Sequence, residues 1–318
     1  MDELRPPEIV AHADWSIRPV GRRIAIARCA GGGWAVAPPV PAGEVAGLAD
    51  WLLAEAGEGG TAFLGVDFPI GLPSAYAARA GIADLLTWLP QAGKGRWRDV
   101  FSPAASVAEI AITRPFYPAR PGAAKRQHLV DRLGMARFAD LHRICDLGDD
   151  RAAAAPLFWT LGGNQVGKGA ILGWRDFIVP ARWRYRERVR IWPFEGTLAE
   201  LLARPGLVVA ETYPGEIYSH LGLAIGGRRL SKRRLADRAA DGPRLLALAR
   251  QQQLALTDAA AAAIAAGFDA DDAFDAMVGL FGMLNVLRGN RAEGTPRDPV
   301  IRTVEGWILG QQARRLND

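Results

Sequence analysis

The first third of the chain alternates apolar and polar positions in the two-residue rhythm of strands before switching to helical spacing. EIVAHADWS (8–16) is an apolar run that closes on Asp14, and RRIAIARCA (22–30) alternates after a Pro-Gly turn. GGGWAVAPP (31–39) follows through a glycine turn. Three strands this close in sequence form an antiparallel meander. AGEVAGLADWLLAEAG (42–57) then takes helical spacing and stops at glycine, and TAFLGVDFPIGLP (61–73) is a short buried strand ending at Asp67. A meander, a helical crossover and a strand free to pair in parallel predict a mixed α/β sheet flanked by helices.

Residues 74–186 change character, with helical pieces at 74–89 and about 125–147 separated by Pro/Gly-rich connections. This stretch is expected to be a large, mostly helical insertion covering one sheet edge, within a single domain spanning 1–318. Strands resume at RVRIWPF (188–194) and, after a helix at 197–203, at LVVAETYP (207–214). ETYPGEIYSHLGL turns into a short helix, and GPRLLALARQQQ, TDAAAAAIAAGF and DADDAFDAMVGLFGMLNVL supply three more. No internal repeat is present.

Composition places the chain among soluble globular proteins: 49% hydrophobic, 23% charged, with no apolar run near the roughly 20 residues a membrane helix needs. The first residues, MDELRPPEIV, lack the basic-then-apolar order of a signal peptide, so the cytoplasm is the expected compartment. Cys29 and Cys145 lack metal-type spacing and are read as reduced and buried. The net charge of +5 concentrates in RWRYRERVR (182–190) and GRRLSKRRLADR (227–238). Such clusters suit a phosphate-rich partner, and equally a solvated surface.

The carboxylates are more informative. Asp14 and Asp67 sit at the C-terminal ends of expected strands and Glu211 near the end of a third, where α/β sheets collect ligands. Singly, each has an ordinary explanation: a turn for Asp67, a cap for Asp14, an arginine partner for Glu211. Converging, they would repel unless a cation compensated them, and hard oxygen donors favour Mg²⁺ or Mn²⁺. GFDADDAFDAMVGLFGML (267–284) adds four aspartates at the start of a very apolar helix. Gly267 suits the stop of the preceding helix and Asp269 the N-cap of this one, with Asp271 and Asp272 in the first turn. Asp275 lies beyond that turn, four residues after Asp271 and three after Asp272, so like charges share one face there. His12, two residues before Asp14, lies on the same side of a regular strand and is expected to be a packed histidine.

GVDFPIGLP, VRIWPF, ETYPGEIY, DDAFDAMVGL and the late EGWI resemble the motifs of the domain-of-unknown-function 429 family, over most of the chain from Asp14 to Trp307. That resemblance implies an RNase H-like fold and the activity of a predicted nuclease. DDAFDAMVGL is also similar to the closing helix of Holliday-junction resolvases. The resemblance matches Asp14 to the first-strand aspartate of an RNase H-like site and Glu211 to the acidic residue on a later strand. It matches Asp272 and Asp275 to the helix pair, while Asp67 opens the family's D-x-P-x-G turn. The first strand departs from the usual I-G-I-D by reading HADWS.

The expected chemistry is two-metal phosphodiester hydrolysis with Asp14, Glu211, Asp272 and Asp275 as ligands to Mg²⁺ or Mn²⁺ and Asp67 beside them. The two ions would lie ~3.5–4 Å apart. Arg228, Lys232 and Arg233 are the candidate contacts to a DNA or RNA backbone. Lys168 is a further basic candidate, although its segment GGNQVGKG departs from GxxxxGK[ST] at Gly169. Two rivals remain: an actin-like or sugar-kinase-type ATP-dependent phosphotransferase, and an inactive RNase H-like module that binds nucleic acid or protein. The first would need a phosphate turn after the first strand, which DWSIRPVGRR does not resemble.

Overall fold

A computed structural model describes residues 6–147, 152–162, 166–227 and 230–313. The chain divides into two compact units. The first comprises residues up to Asp67, Tyr185–Thr295 and Ile308–Gln312. The second comprises Phe68–Arg184, Pro296–Trp307 and the residues after Gln312, so it takes in nearly all of the expected insertion.

The first unit is built on an eight-stranded mixed sheet. Its strands are β1 (Ile9–Asp14), β2 (Arg23–Ala30), β3 (Gly33–Val36), β4 (Val40–Pro41), β5 (Thr61–Val66), β6 (Val189–Ile191), β7 (Gly206–Glu211) and β8 (Leu254–Leu256). The order is β6-β7-β5-β1-β2-β3-β8, with β4 paired to β2. β1, β2 and β3 pair antiparallel, as expected of the meander, and β1-β5, β5-β7, β7-β6 and β3-β8 pair in parallel. Strands β1, β5 and β7 are buried at every position, which is why their sequences read as near-continuous apolar runs.

The helices of this unit are α1 (Leu48–Ala56), α2 (Leu198–Leu202), α3 (Pro214–His220), α4 (Leu235–Gln251), α5 (Asp258–Ala266) and α6 (Asp271–Leu287). α6 packs on β1 and β2, and its run from Ala273 to Phe281 is buried all round, as expected of a helix inside a core. Gly279 makes the close approach possible: a Cβ there would fall 2.3 Å from the ring of His12 on β1.

Three local expectations change. α4 starts at Leu235 instead of at the Gly242-Pro243 pair, which reads as a helix start but lies inside it. Packing of α4 on α5, where a Cβ on Gly242 would come 2.8 Å from Ile264 O, overrides the local breaker signal. β8, only three residues between two helices, carries no pattern long enough to be recognised. Gly267 does end α5 in the left-handed conformation, but the N-cap of α6 is Ala270. Asp269 instead turns its carboxylate to Arg23, 3.5 Å away.

The second unit consists of short helices and turns around an aromatic core that includes Tyr76, Trp88, Phe116, Phe158 and Trp174. Its helices include Ser74–Ala80, Gln127–Leu133 and Ile144–Leu147. Within it Arg143, fully buried, donates to both carboxylate oxygens of Asp146, from Nη2 at 2.8 Å and Nε at 3.1 Å. Glu305, also buried, accepts from the backbone N–H of Ile144 at 2.8 Å and of Ser74 at 3.1 Å.

Candidate functional site

β1 and β5 run parallel with Ala13 opposite Val66, so the residues that follow, Asp14 and Asp67, emerge side by side at the C-terminal edge of the sheet. Their carboxyls hydrogen-bond each other, and the Trp15 backbone N–H donates to Asp67 Oδ1 at 2.7 Å. α6 brings the buried Asp275 to the same place. Tyr218 on α3 donates its hydroxyl to Asp275 Oδ1, and the Lys232 ammonium donates to Oδ2.

Burial pushes the Asp14 carboxyl well above its ordinary range, and the negative charges of Asp67 and Asp275 push it further. Burial also raises Asp67, against the hydrogen bond from Asp14 and the N–H of Trp15. Both carboxyls are therefore biased toward their neutral forms, Asp14 the more strongly because the charges of Asp67 and Asp275 add to its burial. Burial raises Asp275 too, with Lys232 and Tyr218 pulling the other way. Burial opposes the charge on Lys232, but Asp275, Asp14 and Asp67 together hold its ammonium above the usual range.

Beneath this cluster His12 is fully buried, with Nε2 2.7 Å from Thr212 Oγ1. The Thr212 hydroxyl also reaches Val66 O at 3.2 Å. Burial pushes the His12 pKa down to about 3, and the ring is a neutral spacer between β1 and α6, as its packed reading expected.

Glu211 does not join the cluster. A Cβ on Gly65 would touch Thr212 and His12, which places all three on the α6 face of the sheet. Strand alternation then sends Glu211, next to Thr212 and paired with Val66, to the other face, where it is buried. The position beside Asp14 belongs to Asp67, because β5 and not β7 is the parallel neighbour of β1. Asp272, half-buried in the first turn of α6, lies at the Gly21 turn, where a Cβ on Gly21 would come 3.1 Å from its Oδ2. The four expected metal ligands are thus not brought together as one set. Among the described residues no group of three or more His, Cys, Asp or Glu could hold a metal ion.

The basic candidates separate as well. Lys232 partners carboxylates, and Arg233 next to it is exposed. Arg228 lies outside the described residues, and Lys168 belongs to the second unit. Within RWRYRER, Trp183 is exposed, while Tyr185 donates to Asp50 Oδ1 at 2.7 Å. Cys145 is buried and Cys29 exposed, and the two are not joined in a disulfide; Cys29 falls where β2 runs beyond its buried half. Sequence reasoning passed over Tyr218, whose place one turn into the helix after ETYP was its only signal. No helix among the described residues is long and apolar enough to cross a membrane.

Compared with protein-family models, with curated proteins and with solved structures, the chain matches none.

Proposed function

We propose that this protein is a metal-dependent hydrolase of phosphodiesters, nuclease-like in its chemistry, with Asp14 and Asp67 as the residues that hold a divalent cation. The observation that carries this reading is the carboxyl pair at two adjacent parallel strand ends, with Asp275 close enough to act on Asp14 by its charge. A shared proton between two buried carboxyls occupies the position that a hard cation takes when it displaces the proton. The donor set, two carboxylates, suits Mg²⁺ or Mn²⁺, which commonly bind through one or two carboxylates plus phosphate. The antiparallel meander followed by parallel strands supports an RNase H-like reading of the sheet.

When bound, such an ion supplies a water of lowered pKa and stabilises charge on the phosphate. Asp14 and Asp67 would hold the ion at the sheet edge, giving up any proton between them as it binds. Asp275 is pinned at the same locus by Tyr218 and Lys232. The exposed Arg233 is suited to a backbone phosphate of the substrate, DNA or RNA.

The test is cleavage of single- and double-stranded DNA and RNA by purified protein in Mg²⁺ or Mn²⁺. Ion-dependent cleavage is expected, falling about 100-fold or more in Asp14→Asn and Asp67→Asn, the lower end of what an acid–base group contributes. Intact substrates in every condition, together with no Mn²⁺ binding by calorimetry, would sink the reading.

A further inference from the structure

Building on the phosphodiesterase reading, we propose that Lys232 is itself one of the site's cations. The site then takes a single divalent ion on Asp14 and Asp67, and the Lys232 ammonium fills the place beside Asp275 that a second ion would need.

Lys232 touches Asp275 directly, and its charge also acts on Asp14 and Asp67, so one ammonium serves three carboxylates. The charge balance closes on this arrangement: three carboxylates are neutralised by one divalent ion and one ammonium. A second divalent ion beside the lysine would leave the locus positively overcharged. Asp275 has neither oxygen unengaged, since Tyr218 and Lys232 take one each.

The lysine is also held in place by its backbone. Arg238, buried on α4, donates from Nη1 to Lys232 O at 2.6 Å and from Nε to Gly267 O at 2.7 Å. That guanidinium ties the Lys232 segment to the turn before α6, the helix that carries Asp275. On the other side, Asp237 accepts from the Ser231 N–H at 2.8 Å and from Arg234 Nε at 2.6 Å. These bonds fix the backbone that carries Lys232, and its ammonium, though the side chain is 39% exposed, is turned to Asp275 instead of standing free as its basic segment first suggests.

Mn²⁺ stoichiometry, measured by calorimetry and electron paramagnetic resonance without substrate, tests the assignment. Wild type and Lys232→Arg should bind one ion, Asp14→Asn none, and Lys232→Met and Lys232→Gln two, with Mn²⁺ recovering thermal stability lost in the neutral variants. The wild-type count is informative even where a variant fails to fold. Two ions in wild type, or one in both neutral variants, would overturn the role of Lys232 while leaving the phosphodiesterase reading intact. No Mn²⁺ in wild type would overturn both.

Discussion

Asp146 and Asp14 are both buried aspartates, with 4% and 8% of their surfaces exposed, yet their surroundings push their carboxyls in opposite directions. Burial works against the Asp146 charge, but Arg143 answers it with a two-pronged guanidinium and a backbone N–H, and the net pKa is lowered. Burial raises the Asp14 pKa, and two more carboxylates that share a single lysine with it raise it further. The first arrangement is a closed ion pair whose hydrogen-bonding capacity is spent on holding the second unit together. The second is left short of positive charge, which costs stability and suits a locus built to receive a cation.

Breaking the closed pair should have the largest effect. Arg143→Met strands the Asp146 carboxylate in a dry interior, and a loss of about 3–5 kcal/mol is expected in denaturant unfolding. A loss below ~1 kcal/mol would show that water reaches Asp146 and that the contrast with Asp14 is overstated. Gly279→Ala tests the close contact beneath the open cluster, because the new methyl meets the His12 ring. A cost of about 1–3 kcal/mol is expected in thermal unfolding, the usual range for overpacking. Unchanged stability would mean that α6 stands off β1.

The smallest effect has the opposite sign and separates the two regions most cleanly. Asp14→Asn should stabilise the ion-free protein by roughly 0.5–2 kcal/mol near neutral pH. The raised Asp14 and Asp67 carboxyls mean that the folded chain keeps a proton the unfolded chain gives up above about pH 4. Ion-free stability therefore falls as pH rises from there through the raised values, and Asp14→Asn should flatten that slope. Asp146 contributes in the other sense: its stabilisation is present above about pH 4 and is lost as acid protonates it through its lowered value. A slope unchanged by Asp14→Asn, measured from pH-dependent unfolding, would show that Asp14 is not biased toward its neutral form.

Much of the sheet could be read from the amino acids because its strands obey short-range rules. The meander through β1, β2 and β3, the crossover helix α1, and the stops at Asp14 and Asp67 follow from alternation, glycine turns and chain distance. Asp275 stood out for the same reason, since a carboxylate past the first turn of an apolar helix conflicts with local helix preferences. Partner choice was not local. Whether β5 or β7 lies beside β1 is a matter of how the whole sheet assembles, and the observed order gave Asp67 the place expected of Glu211. A single step in strand phase then turned Glu211 to the opposite face. Tyr218, and the pairing of Lys232 with Asp275 in place of a phosphate, were beyond sequence reasoning for a related reason: both reach Asp275 from segments more than forty residues away in the chain, through packing that leaves no periodic trace. Chain-local chemistry thus supplied the carboxylates, and long-range packing determined which of them meet and which cation answers them.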